Sequence, residues 1–130
     1  MYALDTNSLS YYLKGKGQVA ERLLAEPPSN VGVPSVVLYE IAYGAARASA
    51  PPGLRERLRA FLRGFQVLPF GEAEARTAAK IRVDLEKGGR PIGPHDVMIA
   101  ATALEHQATL VTHNTKEFGR VKGLRLEDWY

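Results

Sequence analysis

At 130 residues, 45% of them apolar and 24% charged, the chain suits one globular domain and is too short for two. The absence of cysteine excludes disulfide frameworks, zinc ribbons, thiolate clusters and cysteine nucleophiles, and suits a reducing cytoplasm. A formal net charge of +3 permits a polyanionic partner. There is no uncharged apolar run near the roughly 18 residues of a membrane span, and no basic-then-apolar N-terminal segment that would mark a secretory signal.

In chain order, Tyr2–Asp5 reads as a short strand, and Thr6–Leu13 as a helix with Thr6 at its cap. Val19–Ala25 reads as a second short helix. Pro27–Asn30 is a turn by composition, and Val31–Val33 is a strand stopped by Pro34. Ser35 then caps a helix carrying Val36, Val37, Tyr39, Glu40, Ile41 and Tyr43. After the Pro51-Pro52-Gly53 break, Leu54–Phe65 is amphipathic, with Leu54, Leu58, Phe61, Leu62 and Phe65 at helical spacing. Its other face carries Arg55, Arg57, Arg59 and Arg63, either a site for phosphates or acidic residues or a plain solvated face.

Gln66–Pro69 is a third strand. Glu72–Lys87 is a long helix whose acidic first turn suits the helix dipole, and Gly88-Gly89 ends it. A further helix runs from Gly93-Pro94-His95-Asp96 to about His106. Thr109–Thr112 is a fourth strand and Leu124–Leu126 a fifth. Strands alternating with helices predict an α/β domain with a mostly parallel sheet and helices on both faces.

In such a sheet a site forms outside the carboxyl ends of the strands. Four acids are placed to meet there. Asp5 follows the first strand, as a helix cap or as a ligand. Glu40 stands alone in an apolar helical segment, with Gly44 one turn later leaving room on its face. Asp96 opens a helix that is apolar nearly all round and should be the central buried one. Glu117 follows the fourth strand in His113-Asn114-Thr115-Lys116-Glu117-Phe118, as a site residue or an ordinary surface one.

If these four converge, each close pair repels by about 4 kcal/mol at 4 Å and an effective dielectric of 20. The cluster then needs a cation or takes up protons. Oxygen-only ligands point to a hard divalent ion, Mg²⁺ or Mn²⁺, of the kind that activates water for attack on a phosphodiester. Of the 14 acidic side chains, 10 then remain against 17 basic ones, a fitting background for nucleic acid.

Three segments together resemble the PIN-domain nucleases: Leu4-Asp5-Thr6-Asn7, Glu40 within Ser35-Val36-Val37-Leu38-Tyr39-Glu40, and Pro94-His95-Asp96-Val97-Met98-Ile99-Ala100-Ala101-Thr102-Ala103. The ending Leu110–Phe118, then Val121-Lys122-Gly123-Leu124, is similar to the VapC toxins of toxin–antitoxin pairs. The resemblance implies a three-layer α/β/α sandwich with a short, mostly parallel sheet, one PIN domain over residues 1–130. It implies a Mg²⁺- or Mn²⁺-dependent endoribonuclease in the cytoplasm, with Asp5, Glu40 and Asp96 as metal-holding catalytic acids. The fourth carboxylate comes from Glu117, or the site has three. Thr6 and Asn7 would orient the first carboxylate or its water, and Thr112 would support the cluster. Where many PIN domains carry an aspartate, Asn114 stands, offering at most a neutral oxygen. A VapB-like antitoxin would block the cleft, and the toxin would form a homodimer.

Lys87 and Arg90 are the favoured RNA-phosphate contacts. His95, His113 and His106 read as rim, capping or dipole residues, and Trp129 and Tyr130 as packing on the sheet edge. The competing reading is a non-catalytic α/β regulatory or binding module whose acids are caps. A phosphoacceptor receiver is one example. It would need adjacent acids after the first strand and a lysine after a late strand, where Thr6 and Thr112 stand instead.

Overall fold

A computed structural model describes residues 1–130. The elements in order are β1 (Tyr2–Leu4), α1 (Thr6–Lys14), α2 (Val19–Leu24), a 3₁₀ turn (Pro28–Asn30), β2 (Val31–Pro34), α3 (Ser35–Ala46) and α4 (Leu54–Leu62). They continue with β3 (Gln66–Leu68), α5 (Glu72–Lys87), α6 (Pro94–Glu105), β4 (Thr109–Val111), α7 (Thr115–Phe118) and β5 (Leu126–Glu127). All strand pairings are parallel, in the order β3-β2-β1-β4-β5. Consecutive parallel strands need a crossover, and the intervening helices supply it.

The core explains which elements must form. Ala3, Leu4, Val31, Val33, Leu110 and Val111 are fully buried along the three central strands. Strands covered on both faces read as continuous apolar runs, as these do. Helix α6 buries Val97 and Ile99 through Ala103 and is the central helix its composition predicts. Gly32 lets β2 and β3 lie close, because a Cβ there would stand 2.7 Å from Leu68 Cγ. At the far edge Trp129 is buried, its ring 5.0 Å from Tyr2, while Tyr130 stays half exposed against Tyr11 and His113.

Several local expectations need correction. Asp5, not Thr6, caps α1, accepting the Ser8 N–H at 2.8 Å. Pro34, not Ser35, occupies the N-cap of α3, and no side chain caps that end. Helix α4 stops at Leu62, short of Phe65, whose ring stacks on Phe61 at 4.4 Å. The last strand lies at Leu126–Glu127 rather than Leu124–Leu126, set by the Leu110↔Leu126 register with β4. Helix α7 was not foreseen; four residues show no period. The α4 arginines are exposed and form no ion pair.

Candidate active site

The strand order reverses between β1 and β4, and a crevice opens outside their carboxyl ends. Asp5 leaves β1 there. Its backbone N–H bonds the Val111 carbonyl at 3.1 Å, so the position of this acid is set by pairing with β4. The Ser8 hydroxyl reaches the same carbonyl at 3.1 Å. With 4% exposure, the Asp5 carboxylate is buried. Burial pushes its pKa up, opposed by the Thr112 hydroxyl and the Ser8 N–H; the charge on Asp128 adds to the rise.

Asp96 sits in the first turn of α6, half-buried beside the same crevice. Its carboxyl is pushed up to about 6 by burial first, then by the charges of Glu40, Glu117 and Asp5, with His95 acting in the opposite sense. Three elements thus bring like charges within electrostatic reach of one carboxylate.

Glu40 comes from α3 and is held on both oxygens. Oε1 accepts the Thr6 hydroxyl at 2.5 Å, and Oε2 lies 3.2 Å from His95 Nδ1. Thr6 therefore serves Glu40 rather than Asp5. Asn7 is exposed and its side chain makes no hydrogen bond to any of the acids. His95 was read only as a rim or capping residue; its contact with Glu40, 55 positions away in sequence, is a tertiary fact. Ser8 meets Asp5 through its backbone N–H, which almost any residue three places after a capping aspartate presents, so its part leaves no sequence signal.

Glu117 lies in α7, which Asn114 caps. Asn114 Oδ1 accepts the Glu117 N–H at 3.4 Å, and its Nδ2 donates to Glu117 Oε2 at 3.0 Å. The neutral oxygen that Asn114 offers is thus engaged in the helix cap. Thr112 is fully buried, and its hydroxyl accepts the Asn114 N–H at 2.9 Å, tying the α7 cap to the residue that flanks Asp5.

By residue type the set fits a hard divalent cation: carboxylate oxygens that repel one another and lack a full cationic counterweight. No three of them stand close enough to grip one ion as they are turned here. Glu40 is drawn toward Thr6 and His95, and Glu117 toward Asn114. A groove of about 240 Å³ between α1, α3 and α4 opens on Glu40, and nothing lies within 4 Å of where a Gly44 side chain would begin. Lys87 ends α5 and Arg90 lies in the loop before α6; both are exposed and neither bonds an acid of the cluster.

His113 binds Asp128 at 2.9 Å, and His106 ends α6 with Glu74 3.6 Å away.

Comparison with known proteins identifies the family and the fold. The PIN domain family matches residues 2–124. The chain is 36% identical over 128 residues to a tRNA(fMet)-specific endonuclease VapC of Shigella flexneri, covering 98% of this chain and 97% of the relative. It is 33% identical to Ribonuclease VapC2 of Rickettsia felis, over 99% and 98% of the two chains. A DNA-bound VapBC structure from Salmonella typhimurium superposes with a TM-score of 0.91 at 33% identity, covering 99% of this chain and 98% of that one. No helix is long and apolar enough to cross a membrane. The chain belongs to the PIN-domain family, among its VapC ribonucleases.

Proposed function

We propose that residues 1–130 act as one PIN domain, a Mg²⁺-dependent endoribonuclease that is the toxin of a toxin–antitoxin pair. Mn²⁺ would serve as well. The observation that carries the reading is the match of the PIN domain family over residues 2–124, with burial and the charges of Glu40, Glu117 and Asp5 pushing Asp96 up to about 6 beside it. Perturbed carboxylates gathered in a crevice mark a functional site more often than a structural one.

Asp5, Asp96 and Glu40 would hold the cation, with Glu117 completing the set directly or through water. A divalent ion bound by these residues would supply neutralisation of charge on the phosphodiester and a lowered pKa for the attacking water. Asp5 is pre-set by its bonds to Ser8 and β4. Thr6 and His95 fix the reach of Glu40, and Asn114 fixes that of Glu117. Lys87 and Arg90, both exposed, would serve as RNA-phosphate contacts. A VapB-like antitoxin would restrain the enzyme by filling the cleft, the toxin would be a homodimer, and the compartment is the cytoplasm.

The test is cleavage of a labelled structured RNA pool with Mg²⁺, with Mn²⁺ and with EDTA, alongside Asp5→Asn. Metal-dependent cuts bearing 5′-phosphates, lost in the variant, are expected. Products ending in 2′,3′-cyclic phosphate would require an internal nucleophile and overturn the hydrolytic reading. Absence of cleavage with no change of melting on metal addition would leave a binding module whose acids are caps.

A further inference from the structure

Away from the acid crevice, a cavity of about 490 Å³ lies between α5, α6 and the segment after α7. Its volume falls within the roughly 300–1,000 Å³ of small-molecule sites. Ile81 and Leu85 of α5, Leu104 of α6 and Val121 give it an apolar floor. Lys80, Arg120 and Lys122 stand around it, against one acid, Asp84. None of the three cations forms an ion pair, and Asp84 forms none either.

Arg120 is the informative member. Its Nη1 donates to the Pro91 carbonyl at 3.2 Å, which anchors the guanidinium. Its Nε is buried and has no hydrogen-bond partner. Pro91 uses one donor of the guanidinium fork, and the remaining N–H groups of the fork leave an acceptor's place open to an anion at the cavity wall. Asp84 lines the same cavity and does not take the role.

We propose that this cavity binds a phosphate-bearing nucleotide, with the phosphate on Arg120, Lys80 and Lys122 and the base over the apolar floor. Arginine suits phosphate because its planar fork donates from several N–H groups at once. Two sources carry this chemistry, a free nucleotide and a nucleotide within an RNA strand. An acidic peptide is the rival occupant, but it makes no use of an apolar floor.

The experiment is calorimetric titration of the full chain with adenosine 5′-monophosphate and with inorganic phosphate, in EDTA. Without divalent ions the acid crevice repels a phosphate and stays out of the readout. Saturable binding of the nucleotide is expected, tighter than that of phosphate, and weakened at least tenfold by Arg120→Gln and by Lys122→Glu. Lys122 is exposed, so its variant keeps the test decisive if Arg120→Gln disturbs the fold.

Cleavage kinetics then separate the sources. This arm alone rests on the ribonuclease reading; the direct titration does not. A KM raised severalfold in Lys122→Glu with kcat unchanged assigns the strand, and an unchanged KM assigns the free nucleotide. No saturable nucleotide binding, or an affinity untouched by Lys122→Glu, overturns the proposal. So does binding of oligoglutamate that the nucleotide fails to displace.

Discussion

His95 Nδ1 and Glu40 Oε2 stand 3.2 Å apart, joining the first turn of α6 to the middle of α3 across the mouth of the acid crevice. The imidazole is the partner that the cluster of carboxylates finds on α6, and it holds one of them by a single edge. Replacing it, His95→Ala, frees Glu40 without touching the core. Because the pair is partly exposed, a loss of no more than about 1 kcal/mol of stability is expected. Cleavage should fall about tenfold, equivalent to about 1.4 kcal/mol of barrier. His95→Gln, which can still donate to Glu40, should recover part of it. Steady-state rates beside thermal melting check both statements.

The elevation of Asp96 makes stability depend on pH in a definite direction. Its folded pKa of about 6 lies above its ordinary 3.8. Between those values the folded protein keeps a proton that the unfolded chain releases, so stability falls as pH rises through the window. Above pH 6 the whole penalty is present. With a half-exposed carboxylate the discounted size is about 1 kcal/mol. Asp96→Asn should therefore raise the apo melting temperature at pH 7, flatten the profile between pH 4 and 6, and abolish cleavage. Unfolding scans at half-unit pH steps test this, and Mg²⁺ should raise melting in the wild type but not in the variant.

Asp5 carries two roles that substitution can separate. Asparagine still accepts the Ser8 N–H, so Asp5→Asn keeps the cap of α1 and removes a buried charge. Its melting temperature should hold or rise while cleavage disappears. Asp5→Ala loses the cap as well and should cost about 1 kcal/mol. A steep drop in melting for the asparagine variant would show that the charge itself is structural.

Asn114 is the position where the acid set is one carboxylate short. In Asn114→Asp the donated bond to Glu117 at 3.0 Å is replaced by repulsion, while the cap of α7 survives. The apo protein should lose about 1 kcal/mol at pH 7, and added Mg²⁺ or Mn²⁺ should restore more than it gives the wild type. Metal titrations followed by melting compare the two chains directly.

Legibility of the fold in the sequence follows how local each signal is. Helix α5 was read at its observed bounds because its acidic start and the Gly88-Gly89 stop are adjacent-residue signals. Phe65 kept the period of α4, yet the helix ends at Leu62 and the strand β3 begins at Gln66, so pattern outran structure. Thr6 and Asp5 are both good caps by type; the choice was made by Glu40, which claims the Thr6 hydroxyl from 34 residues away. The place of Asp5 follows from the single carboxyl edge of a parallel sheet, whereas Glu40, Asp96 and Glu117 are carried by helices whose approach no local pattern fixes. Their partners were not legible, since the His95 contact and the engagement of the Asn114 amide depend on side-chain direction. The cavity beside Arg120 left no sequence signal at all, being made by three separated segments.

The central place of β1 has a consequence for biosynthesis. One flank of this strand is completed only when residues 109–111 arrive, and the Asp5 backbone waits for Val111. During translation the first acid is made near the start and Glu117 near the end, so an unfinished chain cannot assemble the crevice. A chain cut off before β4 has an open sheet edge beside β1 and lacks Glu117, so the crevice takes shape only in a chain that carries its last strands.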